Sequence, residues 1–212
     1  MNLIGIDFSI NKPAACVFSN NNYEFYGWPY NLKEDIIKIY KESGVNIIPQ
    51  ENKELLIEHN QHDLMRHEIK NSEYLSNLII NTLKPFLNEN TLIAIEGLSY
   101  SSSGSVVLQL SGYRYILLYL IQKSVPLNNI YTYTPITIKS IANCAKRGMN
   151  KDDMINAFIE RGPMCKFRMK LFEFPEKFKT PKSKKWIIHL DDFVDAYFVL
   201  KTLQEKELIH RL

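Results

Sequence analysis

Carboxylates occur at three places in this sequence where apolar neighbours make a charge costly. Asp7 and Glu96 each stand at the end of a short apolar run with the character of a β-strand. Asp191, Asp192 and Asp195 open an apolar stretch with helical spacing, and the pairs three and four residues apart share one helix face. A carboxylate in such surroundings needs a cation, hydrogen bonds or a raised pKa to offset its lost hydration.

Converging carboxylates of this kind would suit a hard divalent cation such as magnesium or manganese. Two such ions about 4 Å apart can activate a water and stabilise the leaving oxygen of a phosphodiester. Each acid alone also fits a structural role, because aspartates are common in turns and at the start of helices. The chemical hypothesis therefore depends on these acids gathering at one point.

The cysteine and histidine residues indicate neither a zinc site nor a disulfide framework. The three cysteines, Cys16, Cys144 and Cys165, are scattered along the chain. Of the five histidines, His62 and His67 are five residues apart, which does not match the i, i+4 spacing of a helical zinc motif. The acids remain the main candidates for chemistry.

The composition is typical of a globular protein. Of 212 residues, 45% are hydrophobic and 23% are charged, which excludes a disordered, collagen-like or coiled-coil chain. We expect one domain spanning residues 1–212. No apolar run reaches the about 20 residues of a membrane-spanning helix, and the start of the chain lacks a basic signal-peptide region. We therefore expect an intracellular protein without a membrane partner, in the cytoplasm or nucleoid, or in the host cytoplasm for a virus.

The order of the predicted elements indicates a mixed α/β protein. The first three strands are close enough along the chain to form an antiparallel meander with the N-terminal strand at or near its centre. Residues 45–61 carry no regular pattern. The five predicted strands cover residues 3–8, 14–19, 23–28, 91–97 and 129–133, and the predicted helices cover residues 31–43, 62–87, 106–123, 134–145, 150–160 and 189–204.

Basic residues cluster near the C-terminal end although the formal net charge is only +3. Residues 162–185 hold eight lysines and arginines against Glu173 and Glu176, interleaved with phenylalanines. Such a segment can follow a DNA backbone, with lysines on phosphates and aromatic rings on bases. A solvated loop held down by its phenylalanines is an equally good interpretation of the same charge pattern.

Several short motifs resemble the RuvC-like Holliday junction resolvases, within the ribonuclease-H-like nuclease and retroviral integrase superfamily. The similar segments follow the family's order along nearly the whole chain, except in residues 31–87 and 163–185. They are residues 4–9 (IGIDFS), 93–97 (IAIEG), 108–114 (LQLSGYR), 133–139 (YTPITIK), 148–154 (GMNKDDM) and 192–196 (DFVDA).

The resemblance implies a ribonuclease-H-like mixed sheet of five strands flanked by helices, with residues 162–185 as a basic insertion. It implies a homodimer that resolves four-way DNA junctions by paired, symmetric cuts with two Mg²⁺ ions in each active site, or Mn²⁺ in their place. The catalytic and metal-binding residues would be Asp7, Glu96, Asp192 and Asp195, with Asp191 as an alternative to Asp192. The DNA-binding residues would be Lys139, Lys146, Arg147 and Lys151, with Tyr100 for stacking and Lys182, Lys184 and Lys185 in the basic segment.

Other functions stay open at the level of the sequence. A catalytically silent DNA-binding protein, a nuclease for flaps or other branched DNA, an exonuclease and a packaging-motor nuclease share the fold. Residues 4–9 also resemble the first phosphate loop of sugar kinases and actin-type ATPases, but we find no second glycine-rich phosphate segment. The abundance of Lys, Asn and Ile suggests an AT-rich genome, viral or microbial.

Overall fold

A single mixed sheet of six strands forms the centre of the molecule. The computed structural model describes residues 1–54, 61–98, 104–146 and 148–208. The strands are β1 (Leu3–Asp7), β2 (Ala14–Ser19), β3 (Asn22–Gly27), β4 (Val45–Ile47), β5 (Leu92–Glu96) and β6 (Ile130–Tyr133). Their order across the sheet is β4-β3-β2-β1-β5-β6, so the N-terminal strand lies in the centre of the sheet, whereas β2 is the middle strand of the meander itself.

The pairing of the strands explains why the sheet is mixed. The short turns of the meander make β1, β2 and β3 antiparallel. The longer connections through helices make β1, β5 and β6 parallel, and β4 is also parallel to β3. The prediction of five strands was wrong by one, because β4 has only three residues and cannot display a repeating pattern of burial.

Seven helices flank the described part of the sheet. They are α1 (Glu34–Glu42), α2 (Gln61–Leu83), α3 (Gly104–Ile121), α4 (Pro135–Ile141), α5 (Lys151–Arg161), α6 (Lys166–Glu173) and α7 (Leu190–Leu203). Helix α4 begins as predicted, with Thr134 as its cap and proline in the first turn. It ends four residues before the predicted end, where Ala142 and Asn143 turn the chain.

The alternation of side chains along β1 and β5 divides the core between the two faces of the sheet. Ile4 and Ile6 of β1 belong to the apolar cluster that includes residues of α2 and α3. Leu3 belongs to the cluster on the other face, which includes most of α7. Because side chains of a strand alternate between faces, Gly5 and Asp7 share the α7 side with Leu3.

Helix α7 approaches the middle of β1 more closely than any side chain would permit. A Cβ atom built on Gly5 would lie 2.3 Å from the backbone nitrogen of Leu200 and 2.4 Å from the carbonyl oxygen of Ala196. The strand and the helix are therefore in backbone contact here. Ala94, the neighbour of Gly5 on β5, is also small and fully buried. The small residues let α7 pack directly on the two strands that end in Asp7 and Glu96.

The basic segment predicted to extend along DNA is folded against the core. Phe167 of α6 and Phe178 are each only 1% exposed, so the expectation that its aromatic rings stack on bases was wrong for these two. Phe172 and Phe174 are exposed, and cations lie over both rings. Residues 179–186 then form a short hairpin, closed by an antiparallel bridge between its first and last residues.

Helix α3 is apolar on its outer surface as well as its inner one. Its 18 residues have a mean hydropathy of 1.2, so length and composition alone would allow it to cross a membrane. The helix carries the buried Arg114, and its inner side packs in the cluster shared with α2. Its exposed residues include Leu108, Tyr115 and Tyr119.

The contact between Gly5 and α7 makes a stability prediction. We expect Gly5→Ala to lower the free energy of unfolding by about 1–3 kcal/mol, because the added methyl must push the α7 backbone away from the sheet. Thermal or urea unfolding followed by circular dichroism measures this change.

Gly104→Ala is the matched control, because a Cβ built on Gly104 meets nothing within 4 Å. We expect this variant to stay within about 0.5 kcal/mol of the wild-type protein. Equal stability of the two alanine variants would contradict the close packing of α7 on β1.

Candidate active site

Asp7 and Glu96 lie side by side at the carboxyl ends of two neighbouring parallel strands. The register pairs Gly5 with Ala94 and Ile6 with Ile95, so the two acids come one position later on each strand. Both are on the face that packs against α7. The two carboxyl groups are close enough to interact directly, and this contact raises the pKa of Asp7 and lowers that of Glu96. Residues that are 89 positions apart in the chain thus meet at one edge of the sheet.

Helix α7 adds its acids to the same place. The charges of Asp192, Asp195 and Glu96 all raise the pKa of Asp7, which places these four carboxyl groups within electrostatic reach of one another. Asp192 lies one helical turn before Ala196, the residue whose carbonyl oxygen faces Gly5. The start of α7 is therefore beside the end of β1.

The neighbouring cations and hydrogen bonds do not fully offset the negative charge of the carboxylate cluster. Burial, together with the neighbouring acids, raises the pKa of Asp7 well above its usual value. Burial and the charges of Glu96 and Asp191 raise the pKa of Asp195 to about 7. Burial also raises the pKa of Glu96, although its hydrogen bond with Asp7 and the nearby lysines oppose the rise. Three neighbouring carboxyl groups therefore hold protons more tightly than ordinary acids do.

Asp192 is the exception, because it has cationic and hydrogen-bonding partners of its own. Burial alone would raise its pKa, but the His189 hydrogen bond and the charges of His189, Lys12 and Lys151 lower it below the usual value. His189 Nδ1 lies 2.8 Å from Asp192 Oδ2, and Lys12 Nζ lies 3.4 Å from the same oxygen. The Asp192 side chain is thus held in one position as a carboxylate.

His189 occupies an unusual position at the start of α7. It is fully buried, and its φ of 80° is in the left-handed region. Its ring lies 4.4 Å from the Phe193 ring, centroid to centroid, and its Nε2 is a buried atom without a hydrogen-bond partner among the described residues. A Cβ atom built on Gly27 would lie 2.7 Å from this nitrogen. The end of β3 therefore leaves just enough room for the ring that holds Asp192.

Asp191 lies on the outer side of the cluster and pairs with Lys151. The Lys151 ammonium donates a hydrogen bond to Asp191 Oδ2. Burial opposes the charge on Lys151, but this hydrogen bond and the charges of Asp191 and Asp192 raise its pKa overall. Lys151 is the first residue of α5, so the ion pair connects the starts of two helices.

A small cleft opens above Asp7 and Glu96. Its volume is about 200 Å³, and its wall includes Pro135 and residues of α3. Arg114, which is buried in this wall, donates a hydrogen bond of 2.8 Å from a terminal nitrogen to Thr132 Oγ1. Its charge also reaches Glu96 and lowers the pKa of that acid. The two strand-end acids are accessible from this side.

The donor set has the chemistry of a site for hard cations. All the converging side chains are carboxylates, and crowding raises the pKa of three of them, so a cation would relieve their repulsion. Across the parts of the chain that the structure describes, no three Asp, Glu, His or Cys side chains have the arrangement of a finished metal site. The residue types fit a divalent cation, while Asp192 is engaged by His189 and Lys12 instead.

The residues predicted to bind DNA are divided between the active-site edge and the hairpin. Lys139 and Lys151 are close enough to Glu96 for their charges to lower its pKa, whereas Lys146 lies exposed in the loop after α4. Lys182, Lys184 and Lys185 are exposed on the hairpin. Tyr100 and Arg147 lie outside the described residues.

Three residues near the acids are absent from the set predicted from the sequence: Lys12, Arg114 and His189. His189 precedes Asp192 by three residues, a spacing that could have indicated the contact. Lys12 is in the turn after β1, where Ser9 Oγ accepts a hydrogen bond from its backbone nitrogen. Arg114 is an arginine in an otherwise apolar helix, which is itself a signal of a nearby charge.

Solved structures of known proteins share this fold. Thermus thermophilus RuvC in complex with a Holliday junction substrate matches with a TM-score of 0.55 and 11% identity, over 98% of this chain and 96% of that chain. A second Thermus thermophilus RuvC structure gives a TM-score of 0.53 at 12% identity, over 97% and 96% of the two chains. The yeast mitochondrial Holliday junction resolvase gives 0.52 at 12% identity, over 99% of this chain and 82% of that chain.

Comparison of the sequence alone finds no relative among family models or curated proteins. At 11–12% identity the structural likeness concerns the fold. The predicted ribonuclease-H-like α/β class is confirmed, and this chain adopts the fold of the RuvC-type Holliday junction resolvases.

Proposed function

We propose that this protein is a metal-dependent DNA endonuclease that resolves four-way junctions. The observation that carries the proposal is the meeting of Asp7, Glu96 and Asp195 at the carboxyl end of two parallel strands, beside a cleft. The fold supports it, since the similar structures are of Holliday junction resolvases. Such an enzyme would work where DNA recombines, inside a cell.

The carboxylates would bind the cofactor. Asp7, Glu96, Asp192 and Asp195 offer only oxygen donors, and we propose that they hold magnesium or manganese, two ions in each site. The bound ions would activate the attacking water and offset the negative charge that develops on the scissile phosphate. Asp192 is better placed than Asp191 for this role, because Asp7 feels the charge of Asp192 directly.

The residues around the acids would orient the DNA and the carboxylates. Lys139 and Lys151, whose charges reach Glu96, would bind phosphates close to the bond that is cut. His189 would keep Asp192 in a single rotamer by its hydrogen bond of 2.8 Å. Acids beside a phosphate repel it unless a cation intervenes. This repulsion argues against a protein that only binds junctions.

We also propose that the protein acts as a homodimer through the outer face of α3. Leu108, Tyr115 and Tyr119 are 75%, 69% and 58% exposed, and they repeat at helical spacing on one face. Met65 and Ile69 of α2 are exposed beside them. An apolar surface of this kind marks an interaction site, and a symmetric dimer matches the two symmetric cuts that resolve a junction.

The first prediction concerns catalysis. We expect the purified protein to cut a labelled synthetic four-way junction in magnesium, and to cut duplex or single-stranded DNA far less. Asp7→Asn or Glu96→Gln should lower the cleavage rate by at least 100-fold, because each change removes a cation ligand. Binding should persist, because neutral side chains do not repel phosphates. Gel analysis of cleavage and binding measures both quantities.

Glu89→Gln serves as the control for Glu96→Gln. Glu89 is an exposed acid in the turn before β5, and the substitution makes the same change in charge. It should cut junctions at the wild-type rate. Wild-type cleavage by Asp7→Asn would eliminate the proposed active site, and binding without cleavage by the wild-type protein in both magnesium and manganese would indicate a silent DNA-binding protein.

The second prediction concerns the stability of the metal-free protein. Asp195 has a pKa of about 7 in the folded state, against about 3.9 when unfolded. At Asp195 the folded state therefore binds more protons than the unfolded state between these values, so the contribution of Asp195 to stability falls as pH rises from about 4 to about 7. We expect Asp195→Asn to reduce this fall and to raise the melting temperature at pH 7 without metal.

Magnesium provides the comparison in the same experiment. The wild-type protein should gain thermal stability when magnesium is added at pH 7, because the cation offsets the repulsion among the acids. The Asp195→Asn variant should gain less. A magnesium response that is the same in both proteins would exclude Asp195 as a ligand.

The third prediction concerns assembly. We expect the wild-type protein to sediment as a dimer and the Tyr115→Lys/Tyr119→Lys variant to sediment as a monomer, because two lysines on each copy would put like charges into an apolar interface. Met164→Lys/Phe172→Lys is the matched control, since these residues are 79% and 59% exposed elsewhere on the surface. If the control variant remains a dimer and the Tyr115→Lys/Tyr119→Lys variant does not, the assignment of the dimer interface to α3 is supported. If both variants remain dimers, that assignment is wrong.

A further inference from the structure

A cationic groove lies next to the active-site acids, between the hairpin at residues 179–186 and the start of α5. Its volume is about 510 Å³. Five lysines line it against two aspartates, Asp152 and Asp191. Trp186 adds an aromatic ring. The lysines are Lys12, Lys151, Lys179, Lys184 and Lys185.

Backbone hydrogen bonds hold the hairpin that carries three of these lysines, Lys179, Lys184 and Lys185. Lys179 pairs with Trp186 in an antiparallel bridge, and the backbone nitrogen of Thr180 donates to the Lys185 carbonyl oxygen at 2.8 Å. The backbone nitrogen of Ile187 donates to the carbonyl oxygen of Phe178, also at 2.8 Å. Because Phe178 is buried in the core, the hairpin is joined to the body of the protein at its base. The backbone from which its lysines project is therefore fixed to the core.

Two ion pairs connect the groove to the acids at the start of α7. Lys12 lines the groove, and its Nζ lies 3.4 Å from Asp192 Oδ2. Lys151 and Asp191, which also line the groove, form an ion pair with each other. Two of the groove lysines are therefore in contact with acids at the start of α7.

The side chains that line the groove favour an extended anion that also carries an aromatic group able to stack on Trp186. Lysines bind phosphates as point charges. Trp186 is half-buried, with Lys179 Nζ 4.4 Å from the centre of its ring. Aromatic rings in a basic groove are the usual means of holding nucleic-acid strands. A single phosphate ion would leave most of the five lysines unused.

We propose that this groove holds the sugar–phosphate backbone of one DNA strand where it leaves the scissile phosphate, with Lys184 and Lys185 on consecutive phosphates. The inference rests on the proposed function, because it takes the strand to be the one that the acids cut. The proposal gives the hairpin a defined role in substrate binding. The exposed lysines alone would not show which part of the DNA they contact.

The experiment compares two pairs of neutralised lysines in the same segment. Lys184→Gln/Lys185→Gln removes two charges from the groove. Lys166→Gln/Lys177→Gln removes two exposed charges of the same segment that do not line it; Lys177 lies over the Phe174 ring, in a depression lined by residues of α1. Both pairs are made with Asp7→Asn, so that the DNA is bound and not cut. Binding to a four-way junction is measured between 50 and 200 mM salt.

Affinity falls as salt rises, and the groove pair should make this negative slope of log affinity against log salt concentration shallower by roughly 1.4 to 1.8, because two phosphate contacts are lost. The control pair should make it shallower by less than half as much. If both pairs change the slope equally, or if neither changes it, the proposal that the groove binds a DNA strand is wrong. DNA would then be attracted by the surface charge in general. Equal melting temperatures of the two variants establish that both are folded.

The experiments distinguish an error in the groove proposal from an error in the proposed nuclease function. If the protein with intact acids cuts junctions in magnesium while both lysine pairs bind alike, the groove inference is wrong and the nuclease stands. If it does not cut junctions but the groove pair alone changes the salt dependence of DNA binding, the groove holds DNA and the nuclease is wrong. Tight binding of inorganic phosphate that competes fully with DNA would overturn the strand assignment.

Discussion

The position of the active-site edge depends on backbone contact between helix α7 and strand β1. A glycine at position 5 lets the helix lie where any Cβ would be 2.3 Å from its backbone nitrogen at Leu200. Glycine carries a conformational cost in a strand, and here it gives α7 a single depth on the sheet. The acid at the end of β1 and those at the start of α7 then have no freedom to separate. Packing in the middle of the domain thus sets the geometry at its edge.

The same arrangement concentrates negative charge that the fold only partly offsets. His189, Lys12 and Lys151 compensate the acids at the start of α7, and they keep the pKa of Asp192 low. Asp7 and Asp195 lack partners of comparable strength, so burial and repulsion raise the pKa of each. A stable protein without a task for these groups would gain by replacing them with apolar side chains. This imbalance is the physical reason to regard them as ligands of a cation.

Local patterns were sufficient to predict five of the six strands, and they identified Asp7 and Glu96 as acids at the ends of buried strands. The register of β1 against β5, which those patterns do not specify, puts both acids on one face. The partners of Asp192 could not be predicted in this way, because Lys12 comes from a turn and the left-handed backbone of His189 depends on its packing. Strand β4 is fixed by its neighbour rather than by its own three residues.

The two ion pairs at the start of α7 tie the groove and the carboxylates together thermodynamically. An ammonium group of Lys12 or Lys151 that turns toward a phosphate leaves Asp192 or Asp191 without its counter-charge. If the carboxylates hold a divalent ion and the groove holds DNA, as proposed, each carboxylate freed in this way would attract the ion more strongly, and a bound ion would in turn free the lysine. Reciprocity of linked equilibria would then require nucleic acid and metal to promote each other's binding to the same degree. A shared set of charges would make this site assemble cooperatively, without any movement of the backbone.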